Sequence, residues 1–246
     1  MSERILALET STLSCSVALF EGDVCVYAKQ CCEEHHVHAS SLLPMIDAAM
    51  TTEGWQTTDL TAVAVCAGPG SYTGLRIGTS TAKGICHAQG IPLIAINSLE
   101  IQAYHAVANG SLEAGATVIA VMDARRDEVY TQTFRWSGER FDALDETRAL
   151  VIESQTGVDV LFPHATDDAI VLGDAADKTE RLLSGTGIKW QFTSAHPMAE
   201  CARIPARNAW AKQRFEDVAY FTPAYLKDFQ AGTPKDPLGL RTSAPS

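Results

Sequence analysis

The run best suited to chemistry is Gly68-Pro69-Gly70-Ser71-Tyr72-Thr73-Gly74, with Arg76 two positions further on. It stands between an apolar run and a helical pattern. Backbone N–H groups at a glycine-rich helix start can cradle an anion or a nucleotide phosphate. The spacing is not GxGxxG, because the third glycine comes one residue late, and the GK[ST] ending of a phosphate-binding P-loop is missing. The same residues would serve a tight strand-to-helix turn that needs glycine for close packing, and both readings stay open. His35, His36 and His38 cluster ahead of a helix, but they stand neither at i, i+4 nor beside convergent carboxylates, so a solvated loop is expected rather than a metal site. Met122-Asp-Ala-Arg-Arg-Asp-Glu128 places five charges after an apolar run, as a solvated turn or as a recognition loop. There is no GxSxG and no Cys/His nucleophile pattern, so no catalytic residue is assigned.

The elements that must position these residues follow from periodicity. Residues 3–9 read as a buried strand, and Ser14–Phe20 and Val24–Lys29 join it in an opening β-meander turned at Glu21-Gly22-Asp23. A helix is expected over His38–Met50, with Ala39, Leu42, Leu43, Ile46, Ala49 and Met50 as one stripe and Met45 and Ala48 widening it. Thr61–Cys66 is a strand that runs into the glycine loop, and a long helix reaches about Gln89, stopped by Gly90-Ile91-Pro92. That helix has two apolar stripes. Leu75, Gly78, Thr79, Ala82, Ile85 and Cys86 form one, and Ile77, Thr81, Gly84 and Ala88 form the other. A helix covering a sheet needs one buried stripe, so the second implies close contact with another helix of this chain, with a partner, or with both. Leu93–Ile96 is a strand and Ser98–Ala108 a helix. After the small, polar 109–116 come strands at Val118–Met122, Glu128–Phe134 and Ala169–Leu172, and helices near Ala175–Leu183 and Met198–Phe215. The alternation predicts an α/β protein with helices packed on sheets. It also predicts one lobe over 1–108, joined by the helix near 198–215, a second over 109–230, and a loose tail from 231.

Composition excludes several classes. The 246 residues hold 46% hydrophobic and 20% charged side chains, an ordinary globular balance. With 19 Lys+Arg against 30 Asp+Glu the formal charge is −11, which argues against a protein that grips nucleic acid unaided, since Lys and Arg must displace the phosphate counterions. The first apolar run is four residues long, too short for a signal-peptide core, and nothing approaches the roughly 18–20 apolar residues of a membrane helix. Seven cysteines without a CxxC spacing suit reduced thiols. A cytoplasmic protein without a membrane partner is expected.

Five motifs in one order carry a family resemblance. They are Ile5-Leu-Ala-Leu-Glu-Thr-Ser11, Leu42-Leu-Pro-Met-Ile46, Gly68-Pro-Gly-Ser-Tyr-Thr-Gly-Leu-Arg76, Pro92-Leu-Ile-Ala-Ile-Asn-Ser-Leu-Glu100 and Met122-Asp-Ala-Arg-Arg-Asp-Glu-Val-Tyr130. Together they resemble the TsaB (YeaZ) family of bacterial tRNA threonylcarbamoyladenosine biosynthesis proteins. The match is good over about the first 130 residues and thin beyond, apart from Pro223-Ala-Tyr-Leu226. The resemblance implies an actin-like, ribonuclease H-like fold of two lobes, each a mixed sheet flanked by helices. It implies a part in modifying the adenosine beside the anticodon, in a complex with a TsaD-like catalytic subunit and a TsaE-like ATPase. The tRNA would be held mainly through the complex, and the isolated chain could form a homodimer. Family dimers use the first two helices, which implies a partner interface at Leu42, Met45, Ile46 and Ala49 together with Ile77, Thr81, Gly84 and Ala88.

The departures from TsaD-like sequences point the same way. Those carry a stretch like Asn-His-x-Glu-Gly-His whose two histidines bind metal; the run here is Asn97-Ser98-Leu99-Glu100-Ile101-Gln102. Serine and glutamine are poor transition-metal ligands. Two carboxylates of the paralogue's first loop become Leu13 and Ser14. The expectation is a non-catalytic subunit without metal or resident cofactor, a weak ATP or ADP site at the glycine loop being left open. The alternative is a metal- or nucleotide-dependent hydrolase, glycoprotease-like, of the same superfamily. A sugar or acetate kinase is weaker, since the first loop, Glu9-Thr10-Ser11, has no glycine.

Overall fold

Strict alternation in the first strand decides which side of the first sheet each helix covers. In the computed structural model, which describes residues 2–32, 38–108, 110, 112–152 and 156–227, strand β1 (Arg4–Glu9) turns Ile5 and Ala7 to one face and Leu6 and Leu8 to the other, all buried. Strands β2 (Ser14–Glu21) and β3 (Val24–Cys32) follow as the expected meander. Helix α1 (His38–Glu53), strand β4 (Ala62–Cys66), helix α2 (Tyr72–Gln89), strand β5 (Leu93–Ile96) and helix α3 (Ser98–Ala108) complete the first half. The sheet order is β3-β2-β1-β4-β5, antiparallel through the meander and parallel from β1 onward.

The second half opens with β6 (Thr117–Asp123) and β7 (Glu128–Trp136), an antiparallel pair. Strands β8 (Phe141–Ala143) and β9 (Arg148–Val151) both pair with β7, and helix α4 (Val158–Leu161) follows. Strand β10 (Ile170–Leu172), helix α5 (Ala176–Leu182) and strand β11 (Gln191–Thr193) precede helix α6 (Arg203–Ala211). Two mixed sheets result, the second in the order β11-β10-β6-β7-β8.

Helices α1 and α2 cover the Leu6/Leu8 face of the first sheet. On the Ile5/Ala7 face, α3 and α6 share one apolar core with β6 and β7, so this layer lies between the sheets. Helices α4 and α5 close the far face of the second sheet around Ile119, Val121 and Val129. The five layers form two lobes, each a mixed sheet flanked by helices.

Three expectations need correction. The helix expected over Met198–Phe215 is a 3-10 turn, Ala199–Ala202, followed by α6, which stops at Ala211; Gln213 then takes a left-handed φ of 51° and the chain turns to reach β5, where Glu216 N–H donates to Leu93 O. The segment after α6 therefore packs on the first sheet, although the second lobe was expected to run to 230. Strands β8, β9 and β11 were missed because each is only three or four residues long. The expected loose tail from 231 lies outside the described residues, as do His35 and His36.

Candidate functional site

The glycine loop owes its composition to the loop that follows β1. Ser71 N–H donates to Ser11 O at 2.6 Å, and Ser71 caps α2 by accepting from Gly74 N–H at 3.3 Å. A Cβ at Gly70 would overlap Ser11 O, one at Gly74 would overlap Thr10 O, and one at Gly78 would meet the Thr10 hydroxyl. On its other side Gly68 O accepts from Ser98 N–H at 3.0 Å, and a Cβ at Gly68 would lie 2.8 Å from Ala224 O. Close backbone packing thus accounts for the glycine spacing, and two of the N–H groups an anion would need are turned onto protein oxygens. Around the loop's rim, Arg76 lies 4.2 Å over the Tyr72 ring and donates to Tyr225 Oη at 3.4 Å, and the two tyrosine rings stand 4.9 Å apart. The Pro223–Leu226 motif is tied here, since Ala224 N–H donates to Ala67 O at 2.7 Å. Pro69 follows a cis peptide bond.

Glu9 ends β1 beneath this loop and is wholly buried. Its Oε1 accepts Ser11 N–H at 2.6 Å, while Oε2 and the Ser11 hydroxyl have no partner among the described residues. Burial pushes its pKa up to about 7, against the opposing pull of the neighbouring Ser11. Cys66 is also buried, accepts Thr10 N–H at 3.2 Å and has its pKa driven well up by burial. A thiol held in its neutral form is no nucleophile. A carboxylic acid at the end of an apolar strand was the one signal that could have singled out Glu9 in advance.

Ser98 and Gln102, which the resemblance set against the two TsaD-like histidines, are both fully buried, and neither the Ser98 hydroxyl nor the Gln102 amide has a hydrogen-bond partner among the described residues. A neutral hydroxyl and amide do not make a transition-metal donor set. No group of three His, Cys, Asp or Glu among the described residues is placed to hold a metal ion. Asn97 has become structural. Its Oδ1 accepts Leu99 N–H at 2.8 Å, and its Nδ2 donates to Thr147 Oγ1 at 2.6 Å and to Gln132 Oε1 at 3.1 Å, tying the start of α3 to the second sheet. His38, expected in a solvated loop, begins α1 and is buried with its Nε2 3.2 Å from Ser14 O.

The interface expected on the first two helices divides. Leu42, Met45, Ile46 and Ala49 point inward onto the first sheet and are 0–5% exposed, so as contact residues they are corrected: the line that covers the sheet runs His38, Leu42, Met45, Ile46, Ala49, Met50. The outer side of α1 shows Ala39, Leu43, Pro44 and Asp47, with Leu43 61% exposed. Pro44 lies well inside the helix, on this outer side. On α2, Gly84 and Ala88 are exposed and Ile77 and Thr81 half-buried, with open space beyond Gly84.

Two helix-flanked mixed sheets, with the glycine loop packed against the loop that follows β1, define an α/β protein of two lobes. The sequence model described as "TsaD: tRNA N6-adenosine threonylcarbamoyltransferase" matches residues 32–234. The chain is 38% identical over 149 residues to the tRNA threonylcarbamoyladenosine biosynthesis protein TsaB of Escherichia coli (strain K12), covering 57% of this chain and 62% of that one. It is 30% identical over 150 residues to TsaB of Buchnera aphidicola, covering 58% and 69%. Among solved structures, YeaZ from Pseudomonas aeruginosa superposes with a TM-score of 0.78 at 29% identity over 91% of this chain and 100% of that one. The chain belongs to the TsaD family, among its TsaB (YeaZ) members. The matches span 62%, 51% and 55% of the Escherichia coli, Haemophilus influenzae and Bacillus subtilis relatives, roughly half to three-fifths of their length. No described helix is long and apolar enough to cross a membrane.

Proposed function

We propose that this chain is a non-catalytic subunit of the complex that forms N6-threonylcarbamoyladenosine in tRNA, working in the cytoplasm. It supports a TsaD-like catalytic partner, with a TsaE-like ATPase joining them. The observation that carries the reading is the pair Ser98 and Gln102: in a chain of this family, the two metal-ligand positions hold neutral, buried side chains. The partner would meet the outer face of the two adjoining helices, on Ala39 and Leu43 of α1 and Ile77, Thr81, Gly84 and Ala88 of α2. Small residues there let another helix approach closely, and Leu43 is an exposed apolar anchor. The same face could pair two copies of this chain when the partner is absent.

Co-purification with a TsaD-like protein, followed by threonylcarbamoyl transfer assayed with and without this chain, tests the reading. Transfer that is equally fast without the chain sinks it. Thr81→Arg or Ala88→Glu should weaken the complex at least tenfold while leaving the isolated chain folded, because both side chains reach the surface. Metal-dependent ATP hydrolysis by the purified chain alone would favour the hydrolase alternative.

A further inference from the structure

The β6–β7 turn is built against its own backbone preference. Arg125 and Arg126 take φ of 67° and 54°, successive left-handed residues in a tight hairpin where Asn or Gly would sit without steric cost. The turn is nevertheless firmly held. Ala124 N–H donates to Glu128 O at 3.2 Å, Glu128 N–H to Arg125 O at 3.3 Å, Arg125 N–H to Asp123 Oδ1 at 2.9 Å, and Asp123 N–H to Asp174 Oδ1 at 3.0 Å. The neighbouring carboxylates are engaged elsewhere: Lys178 Nζ lies 2.8 Å from Asp123 Oδ1, and Lys227 pairs with Glu128. Asp127 is exposed at the tip beside the arginines. Both arginines are exposed, and neither guanidinium makes an ion pair among the described residues. A conflict between local preference and fold, kept rigid by surrounding bonds, marks a place where the side chains are wanted for something other than stability.

We infer that Arg125 and Arg126 form a phosphate-gripping tip through which this chain touches the RNA backbone; this rests on the function proposed above and names a contact within it. Two adjacent guanidinium forks match phosphate oxygens in bidentate geometry. On a chain of net charge −11 no diffuse positive field would hold RNA, so any contact must be local, and this tip is a rigid place where unpaired positive charge projects.

The double variant Arg125→Asn/Arg126→Gly tests the inference, because it removes both charges while relieving the backbone. Its complex with the TsaD-like partner and an unmodified tRNA transcript should lose about tenfold in affinity near 0.1 M salt. The slope of log K against log salt should shrink by roughly two. The isolated variant should melt at the same temperature as wild type or higher. Arg125→Lys/Arg126→Lys should restore the slope and part of the affinity. Unchanged affinity and slope in a complex that still forms would overturn the inference. So would loss of partner binding with the RNA slope intact, since the arginines would then grip protein. A wild-type chain that adds nothing to tRNA binding or transfer by the partner overturns the function proposed above and this contact with it.

Discussion

Glu9 illustrates what a single buried side chain does to the molecule's response to pH. Its pKa moves from the usual 4.5 to about 7 because no water reaches it. Below pH 4.5 the folded and unfolded chains both hold the proton and nothing is lost. Between 4.5 and 7 the unfolded chain releases it while the folded chain keeps it, so stability falls as pH rises; above about 7 the loss is constant. At roughly 1.4 kcal/mol per tenfold change, this amounts to about 3 kcal/mol. Glu9→Gln keeps an acceptor for Ser11 N–H and cannot ionise. Urea unfolding at pH 5 and pH 8 should show the variant gaining on wild type by about that amount at pH 8. Equal gains at both values would show that Glu9 does not titrate in the fold.

At the scale of the element, α2 carries two kinds of glycine that sequence alone treats alike. Gly74 faces the carbonyl of Thr10 with no room for a methyl group, whereas Gly84 faces open space. Gly74→Ala should destabilise by about 3 kcal/mol through forced displacement of the first loop, lowering Tm by roughly 6–12 °C. Gly84→Ala should raise the stability of the isolated chain by up to about 1 kcal/mol, as expected for an exposed helix interior. Thermal melts of the two variants decide it, and similar losses from both would contradict the packing described. The inner stripe of α2 was legible because its residues recur at helical spacing: Leu75, Gly78, Thr79, Ala82 and Cys86 are buried, and Ile85 is half-buried. The stripe of α1 was misplaced by part of a turn. Met45 and Leu43 are equally apolar, and only contact with the sheet decides that one is covered and the other 61% exposed.

At the scale of the whole molecule, the net charge sets what the isolated chain should do with RNA. With −11 overall, the isolated protein should bind tRNA more weakly than the 10⁻⁴–10⁻⁶ M typical of non-specific binding at physiological salt. A two-arginine tip would add little until a partner supplies the rest of the phosphate contacts. Filter binding across a salt series checks this, and tight, steeply salt-dependent binding by the chain alone would contradict it. The two lobes are also one packed body at this scale: α3 shares a core with both sheets, and Asn97 reaches Gln132 and Thr147 across the junction.

Amino-acid order alone determined the meander, the helix boundaries around α2 and α3, the family, and the neutral side chains of Ser98 and Gln102 at the start of α3. Each of these rests on short-range periodicity, or on side-chain types that chemistry either accepts or refuses as donors. Tertiary structure decided the rest. The glycines of the loop serve packing because a distant loop presses on them, and Pro223–Leu226 belongs to that loop across some 150 positions of sequence. The Arg125–Arg126 tip takes its left-handed backbone in the hairpin that joins β6 to β7. Burial and long-range approach are properties of the assembled layers, and no local spacing encodes them.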